Sequence, residues 1–347
     1  MKGNLMKTKL VICILGLMLI ECSGETPTKY QSGSTEIAFV LCEGNMHSNN
    51  STLHTLSEEH SIMFNTGDTG SSMAIYQNQL LVVNNITSNI VIYKINQQGI
   101  IETSNIVIDL NASSPREIII QDSTAYVTQW LTHSVAVIDL TTLEIKTQIE
   151  MPGSTEGITT DGTYLYVTVK YIDTTGKWPY PAGNTIEKIN ITSNLVEDSF
   201  QVSENPELLI YYNGFLFVGS QSGWPAIHKI DKVNSITGEI ILQKVYDSEI
   251  QLGIDWAIHT DILYRTYNNG IVSINEDLTI NESTYISSEQ LGLYSMAINN
   301  DYVYLGFSDD NTAPDFVRVL DFDGNKISEY EIGDCALPGS FAFWNGD

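Results

Sequence analysis

The chain has 347 residues, of which 42 are acidic and 16 are basic, so its formal net charge is −26. A surface this negative repels phosphate backbones, which disfavours binding to nucleic acid. The length would fit two average domains, but it also fits one large all-β ring with a single extended core.

The first element in chain order is an export signal. Three lysines lie among the first nine residues and precede an apolar run over residues 10–20. This run is too short to span a bilayer and suits the apolar region of a signal peptide. We therefore expect residues 1–22 to direct export, residues 23–35 to form a polar tether, and residues 36–347 to fold.

The apolar run ends in Leu19-Ile20-Glu21-Cys22, which resembles a bacterial lipobox. In that motif the cysteine becomes the lipidated first residue of the mature protein. Glu21 departs from the pattern, because a small residue is usual at its position. The sequence predicts a lipid anchor on Cys22 as the only link to a membrane, with ordinary signal cleavage nearby as the alternative.

After the tether, a short pattern returns seven times. An apolar strand is followed by a tight turn and a second strand rich in aromatic and β-branched residues, as in 164–167. The starts lie 40 to 51 residues apart, at Met73, Arg116, Glu156, Glu207, Trp256, Met296 and Phe341. A period in the forties with several strands per repeat is typical of a β-propeller blade. We therefore predict an all-β, seven-bladed β-propeller.

The two ends of this ring complete one another. Phe341 begins a strand that has no blade of its own, whereas residues 36–66 supply outer strands without an inner one. The C-terminal strand at about 339–346 is therefore predicted to complete the first blade. The predicted blades are 36–66 with 339–346, then 73–109, 115–150, 154–202, 206–246, 254–286 and 295–332.

Ring closure would bring Cys42 and Cys335 to the same blade. Cys42 ends the first strand, and Cys335 lies just before the closing strand. In an oxidising compartment the pair could form a disulfide that locks the ring. A bridge over so long a loop contributes on the order of 4 kcal/mol in the chain-entropy treatment. Two buried thiols are the equally weighted alternative.

The loops on one face of the predicted ring are unusually rich in aromatic residues. The connections between the second and third strands of the blades share this face with the connections between blades, and a rigid ring supports them. Aromatic rings with polar residues between them predict a ligand platform. The residues predicted to bind are Asn45, Arg116, Trp130, Tyr171, Trp178, Trp224, Arg265 and Tyr267. For any single ring, packing under its own loop is the simpler interpretation, and only the set favours a binding face.

Charged residues are expected near the central channel on the same face. Glu156, Glu207 and Asp255 form a predicted acidic ring, with Lys170 and two arginines nearby. Such a ring could orient a polar ligand or hold water or a cation, and mutual neutralisation is the alternative for each residue. Residues 321–325 superficially resemble a calcium loop, but Asp-Gly between strands is first of all a hairpin turn. We find no phosphate loop, dinucleotide turn or nucleophile elbow, so no cofactor, catalytic residue or metal site is predicted.

Two stretches resemble known propeller families. Residues 125–139 resemble the YVTN-type propeller repeat, and its core returns at 165–168, which implies the fold. Residues 40–51 (VLCEGNMHSNNS) resemble the start of exported propellers that are common as lipoproteins in Bacteroidota-type bacteria. Those proteins usually read LNEGN and then NNS, so Cys42 stands where Asn is usual.

That family includes surface lipoproteins that capture vitamin B12 and pass it to an outer-membrane transporter. The resemblance implies that this chain captures a cobalamin or another bulky nutrient on its loop face, with such a transporter as partner. The predicted aromatic residues would pack against the corrin, and Asn45, Arg116 and Arg265 would make polar contacts.

The sequence thus predicts an exported, monomeric, non-catalytic propeller that binds a ligand or partner. It is expected at the outer membrane, on the cell surface or on the periplasmic side. One alternative is a metal-dependent hydrolase of the lactonase type, with Glu156, Glu207 and Asp255 as cation ligands. The other is a protein–protein scaffold, which a large apolar patch on an outer or bottom face would favour.

Overall fold

A computed structural model of the chain describes residues 36–57, 63–172, 179–223, 227–246, 252–308, 315–333 and 337–346. In this part of the chain, 28 β-strands form seven antiparallel sheets of four strands each. The described residues include no helix that is long and apolar enough to cross a membrane. The predicted export segment, tether and lipidation site at Cys22 lie outside the described residues.

In each of blades 1 to 4, four strands follow one another from the inner to the outer edge of the sheet. Blade 1 contains β28 (Pro338–Trp344), β1 (Ile37–Cys42), β2 (Ser51–Leu56) and β3 (Met63–Gly67); blade 2 contains β4 (Gly70–Tyr76), β5 (Gln79–Asn84), β6 (Asn89–Ile95) and β7 (Ile101–Asp109). Blade 3 contains β8 (Pro115–Gln121), β9 (Thr124–Gln129), β10 (Ser134–Asp139) and β11 (Glu144–Glu150); blade 4 contains β12 (Ser154–Thr160), β13 (Tyr164–Tyr171), β14 (Ala182–Asn190) and β15 (Leu195–Gln201).

The other three blades follow the same order. Blade 5 contains β16 (Pro206–Tyr212), β17 (Phe215–Ser222), β18 (Ile227–Asn234) and β19 (Ile240–Val245); blade 6 contains β20 (Leu252–His259), β21 (Ile262–Tyr267), β22 (Gly270–Ile274) and β23 (Ile280–Ser287). Blade 7 contains β24 (Leu293–Asn299), β25 (Tyr302–Phe307), β26 (Asp315–Asp321) and β27 (Lys326–Gly333). The predicted all-β, seven-bladed β-propeller is confirmed, and the predicted blade limits agree within a few residues.

The last strand closes the ring as predicted. β28 pairs with β1 in antiparallel register, which places Val40 opposite Phe341 and Ala38 opposite Phe343. The inner strands contact one another in order around the ring, from β4 through β24 to β28 and back to β4. The chain terminus therefore supplies the inner strand that the first three strands lack.

The hydrophobic core lies between the blades. Seven buried clusters occur among the described residues, one at each junction of adjacent blades. Between blades 2 and 3, for example, Leu81 and Val83 pack in one cluster with Ile118 and Val127. Full burial of such a side chain contributes about 1.5–3 kcal/mol. Because every blade buries both of its faces against neighbours, the strands are apolar on both faces as well as rich in β-branched residues.

The ring has two different faces. On the bottom face, tight turns join the first to the second strand and the third to the fourth, as at Asn213-Gly214, where both residues have positive φ. That pair gives the two-residue turn that matches strand twist. On the top face, backbone bonds join the loops within blades to the connections between blades, as from the amide of Trp130 to the carbonyl of Ser114. The described parts of the loops predicted to form a binding face therefore lie on the top face.

Cys42 is disulfide-bonded in the structure. Its predicted partner, Cys335, lies outside the described residues.

Candidate functional site at the top of the channel

Equivalent positions of the inner strands line the top of the channel. Arg116, Glu156, Glu207 and Tyr294 each lie at the start of an inner strand, two residues before the position that pairs with Val127, Val167, Val218 or Leu305. Because side chains alternate along a strand, residues at one register position all point to the same side of their blade. The fold thus brings together four polar residues that are far apart in the sequence.

Four of the charged side chains form a chain of alternating sign across blades 3, 4 and 5. The guanidinium of Arg116 donates from Nε to Oε1 of Glu156 at 2.9 Å, and its terminal nitrogen lies 2.7 Å from the same oxygen. The Nζ of Lys170 lies 3.8 Å from Oε2 of Glu156 and 2.8 Å from Oε1 of Glu207. Each cation therefore contacts at least one carboxylate, and Glu156 is shared by both cations.

Three aromatic rings lie beside this charge chain. The indole of Trp130 donates to Oε2 of Glu156 at 2.5 Å, and Arg116 lies 5.1 Å from the centre of its ring. The ring of Tyr171 meets Trp130 edge-on at 5.5 Å, and Tyr180 meets Tyr171 at 5.7 Å. Aromatic pairs in this geometry add about 0.5–1.5 kcal/mol beyond their buried area. The rings and charges hold one another in a single arrangement.

The charge chain is partly buried at its centre and open at its ends. The side chain of Glu156 is 5% exposed and that of Lys170 is 12% exposed, whereas Arg116 and Glu207 are 30% and 28% exposed. Burial alone would raise the pKa of Glu156, but Arg116 and Lys170 outweigh it and hold that pKa below its usual range. For Lys170, burial lowers the pKa, but the two glutamates outweigh it and the net shift is upward. The charges are thus fixed near neutral pH.

The opposite wall of the channel carries a different kind of contact. The hydroxyl of Tyr294 donates to Oε1 of Glu43 at 2.6 Å. Burial raises the pKa of Glu43 despite this bond and the positive charge of Arg116, and the nearby charge of Glu156 raises it further. Glu43 comes from the loop between β1 and β2, so this pair also joins the first blade to the last. The Coulomb interactions with Arg116 and Glu156 place both walls around one channel mouth.

Asp255 occupies a different register position from the other two members of the predicted acidic ring. Trp256 pairs with Arg265, as Ile158 pairs with Val167, so Asp255 lies one residue further along its strand than Glu156 does. One residue of displacement turns a side chain to the other side of the strand. Oδ2 of Asp255 accepts the amide of Met296 in the next blade at 2.9 Å.

Glu117 makes the same contact in blade 3 as Asp255 makes in blade 6. Its Oε2 accepts the amide of Ile158 in the next blade at 3.1 Å. Burial, with a further contribution from Glu156, raises the pKa of Glu117 to about 8, and burial with the charge of Glu43 raises that of Asp255 to about 7. Both carboxyl groups therefore bind a proton near neutral pH and join neighbouring inner strands.

The predicted acidic ring consequently does not form one cation site. Glu156 and Glu207 bind arginine and lysine, and Asp255 binds a backbone amide in another register. Within the described ranges, no three or more His, Cys, Asp or Glu residues are grouped so that they could hold a metal ion. The residues of the hydrolase alternative are thus held by other partners.

Arg265 is buried instead of facing the medium. Arg265 is 2% exposed, and its guanidinium lies 5.6 Å from the ring centre of Trp256. Burial lowers the pKa of Arg265 to about 10, although Tyr246 and Glu207 oppose the shift. It lines a cavity of about 10 Å³ with Glu207 and His228, which has room for about one water molecule. Arg265 therefore contributes to the wall of the site and does not reach its surface.

The remaining predicted binding residues are dispersed. Tyr267 meets Tyr285 of its own blade edge-on at 5.7 Å and packs against the core between blades 5 and 6. Asn45 is exposed in the loop after β1, and its backbone N–H donates to Oδ1 of Asn50. Trp178 and Trp224 lie outside the described residues. The structure thus brings Arg116, Trp130 and Tyr171 together out of the predicted set.

Three polar residues of this mouth are absent from the predicted set. In the sequence, Glu43 is noticeable only as part of the segment 40–51, and Glu117 only as part of a repeat start. Tyr294 belongs to no motif. The available signal is the repeat itself, because Tyr294 stands two residues before Met296 as Glu156 stands two residues before Ile158. An alignment of the repeats by strand register places Tyr294 in the channel.

Comparison with known proteins supports the fold but does not assign the chain to a family. No family model matches the chain, and no curated protein matches it. Among solved structures, a functionally unknown protein from Desulfotomaculum acetoxidans is similar with a TM-score of 0.65 and 14% identity, over 90% of this chain and 99% of that one. The periplasmic gluconolactonase of Pseudomonas aeruginosa is similar with a TM-score of 0.62 and 13% identity, over 89% and 99%. These likenesses show a shared β-propeller fold.

Proposed function

We propose that this propeller is an exported, non-catalytic binding protein whose ligand contacts the top of the channel at blades 3 to 5. The observation that carries the proposal is the alternating chain from Arg116 to Glu207, flanked by the rings of Trp130, Tyr171 and Tyr180. Because these groups already hold one another in place, little side-chain freedom would be lost on binding.

The chemistry of the mouth favours a large ligand with amide or other neutral polar groups. Arg116 and Lys170 offer donors, Glu207 offers an acceptor, and the net charge of the four-residue chain is zero. A ligand with amide groups can satisfy both signs at once, whereas a highly charged ligand would leave one sign unpaired. A corrinoid with amide arms fits this pattern, and the resemblance of residues 40–51 supports it.

Calorimetric titration of the mature domain with cyanocobalamin tests the proposal directly. We expect saturable heat with the unaltered protein and a weaker affinity in Tyr180→Ala, because that substitution removes one flanking ring and leaves the charges intact. Glu207→Gln is expected to weaken binding less, because an amide keeps the shape and one acceptor.

The matched control is Lys146→Met, which removes a positive charge from an exposed pair with Asp139 on blade 3. This control should bind as the unaltered protein does. The absence of heat from cyanocobalamin and related corrinoids would contradict the corrinoid assignment. A stoichiometric divalent metal in the purified protein would instead favour the lactonase-type hydrolase, an activity that one structurally similar protein has.

A second candidate function is a protein–protein scaffold, and the outer strand of blade 5 favours it. On β19, Ile240, Ile241, Leu242 and Val245 are between 36% and 53% exposed. β19 is also the edge strand of its sheet, so its outer backbone groups are open to another strand. An apolar edge of this kind is a surface where another protein can dock.

A further inference from the structure

A second cavity lies on the bottom face, between blades 6 and 7. Its volume is about 470 Å³, and its walls come from four separate chain segments. The lining residues that bear on its chemistry are His259, Tyr264, Asp301, Asp321, Phe322 and Asp323. The pocket is wide open to solvent, so it would enclose only part of a small organic ligand. We call it the bottom cleft.

Aromatic rings form one wall of the bottom cleft. Phe322, in the turn after β26, stacks on His259 at 4.5 Å with an angle of 16° between the planes. The same ring meets Tyr264 edge-on at 5.4 Å. These contacts cross the junction between the two blades, so the wall is fixed by the packing of the ring. Such a wall can receive the apolar body of a ligand or the face of a cationic group.

Carboxylates form the other walls. Asp321 accepts the amides of Asp323 and Asn325, and its hydrogen bonds with Asn325 lower its pKa, so it stays ionised. Asp301 and Asp323 are exposed at the rim. Within the described part of the chain, no cation lies within ion-pair distance of these three aspartates. The negative charge of the cleft is therefore not neutralised internally.

Tyr264 offers a polar group to the cleft that is independent of the carboxylates. It is 7% exposed and lines the cleft, yet its hydroxyl makes no hydrogen bond to any residue that the structure describes. Its oxygen is not one of the fully enclosed side-chain atoms that lack a partner in the described residues, so water or a ligand in the cleft can reach it. A group bound in the cleft would give this hydroxyl a partner.

We propose that the bottom cleft binds an organic cation, an alkylammonium or guanidinium group, through the aromatic wall of Phe322 and Tyr264 and the carboxylates of Asp301, Asp321 and Asp323. The cation faces the carboxylates, its apolar part lies against the rings, and a polar group of the ligand pairs with the Tyr264 hydroxyl. This site is on the face opposite to the channel mouth and does not depend on the function proposed there.

Calorimetry of the mature domain at low ionic strength tests this proposal with three probes. Choline represents a free amine, the amide of N-acetyl-arginine represents a side chain of a partner protein, and 3,3-dimethylbutan-1-ol is the neutral isostere of choline. We expect saturable binding for at least one of the two cations and none for the alcohol. Tighter binding of choline identifies a free amine as the source of the cation, and tighter binding of the arginine amide identifies a protein side chain.

Two variants with one control localise the binding. Asp323→Asn should weaken cation binding roughly fivefold by removing one exposed charge, and Tyr264→Phe should weaken it without unfolding the protein. Asp122→Asn is the matched control, because Asp122 is an exposed aspartate on the bottom face of blade 3 with a φ of 55°, which asparagine tolerates. Equal binding of choline and the neutral alcohol, no binding of either cation, or equal losses in Asp323→Asn and Asp122→Asn would overturn the proposal.

Discussion

The two faces of the ring use polar groups in opposite ways. At the channel mouth, Arg116, Glu156 and Lys170 are paired with one another and with aromatic rings. In the bottom cleft, the carboxylates lack cations and the hydroxyl of Tyr264 lacks a hydrogen bond among the described residues. The mouth therefore already has the interactions that stabilise it, whereas the cleft would gain them from a ligand. Substitutions at the mouth should cost folding stability, and equivalent substitutions in the cleft should not.

The largest effect is expected from Glu156→Gln. Glu156 is the shared anion of two partly buried cations, and removing one partner from a buried pair costs about 3 kcal/mol or more. Urea denaturation should show this loss in the free energy of unfolding. Lys146→Met, which breaks an exposed pair, should cost less than about 1 kcal/mol. Similar losses in the two variants would show that the mouth is not a specially stabilised network.

A matched pair of tyrosine substitutions compares the faces directly. Tyr294→Phe removes the donor to Glu43 and leaves a partly buried carboxylate without that bond, which should cost about 1–2 kcal/mol. Tyr264→Phe removes a hydroxyl that has no partner in the described structure, so the free energy of unfolding should stay the same or rise slightly. Denaturant titration of both variants checks this, and a cost in Tyr264→Phe as large as in Tyr294→Phe would contradict the comparison.

The pH dependence of stability should identify the carboxyl group of Asp255. Its folded pKa of about 7 lies above the ordinary value of 3.8, so the folded state keeps a proton that the unfolded chain loses between those values. The contribution of Asp255 to stability is therefore complete at low pH and is lost as pH rises towards 7. Asp255→Asn should remove most of this fall in unfolding free energy over the window from about pH 4 to pH 7, because asparagine has no proton to lose. Parallel curves for the two proteins would show that Asp255 is ionised in the fold.

The smallest effect on folding is expected at the rim of blade 5. Ile241→Lys lies on an exposed edge strand and should change the free energy of unfolding by less than about 0.5 kcal/mol. If the scaffold function holds, the unaltered domain self-associates or binds a partner through β19 and the variant does not. Light scattering after size-exclusion chromatography measures the self-association, and identical monomer masses at all concentrations would remove that form of the scaffold hypothesis.

The fold could be predicted because the repeat and the displaced closing strand are visible in the sequence. Strand register is less visible. Asp255 looks equivalent to Glu156 and Glu207 in composition, but it is offset by one residue and turns to the other side of its strand. Arg265 and Tyr267 are residue types that often contact ligands. In the structure, Arg265 is buried in the wall of the site and Tyr267 packs at the junction between blades 5 and 6. The β-strand propensity of a residue does not indicate to which side of the strand its side chain points.

The bottom cleft could not be predicted from spacing. His259 and Tyr264 belong to blade 6, and Phe322 and Asp323 belong to the hairpin of blade 7. Residues 321–325 are recognisable as a hairpin turn with a superficial calcium pattern, and Asp321 does hold that turn through Asn325. Their position beside the aromatic wall depends on how two blades pack. A local sequence pattern does not indicate that packing.

Hydrogen–deuterium exchange with and without cyanocobalamin tests the central claim, that the paired network of the channel mouth is a preformed binding site. We predict slower exchange at the top ends of β12 and β13 and in residues 130–133, with no change in the hairpin at 321–325. Exchange that is unaltered by every corrinoid, or protection confined to the bottom cleft, would contradict the proposed site.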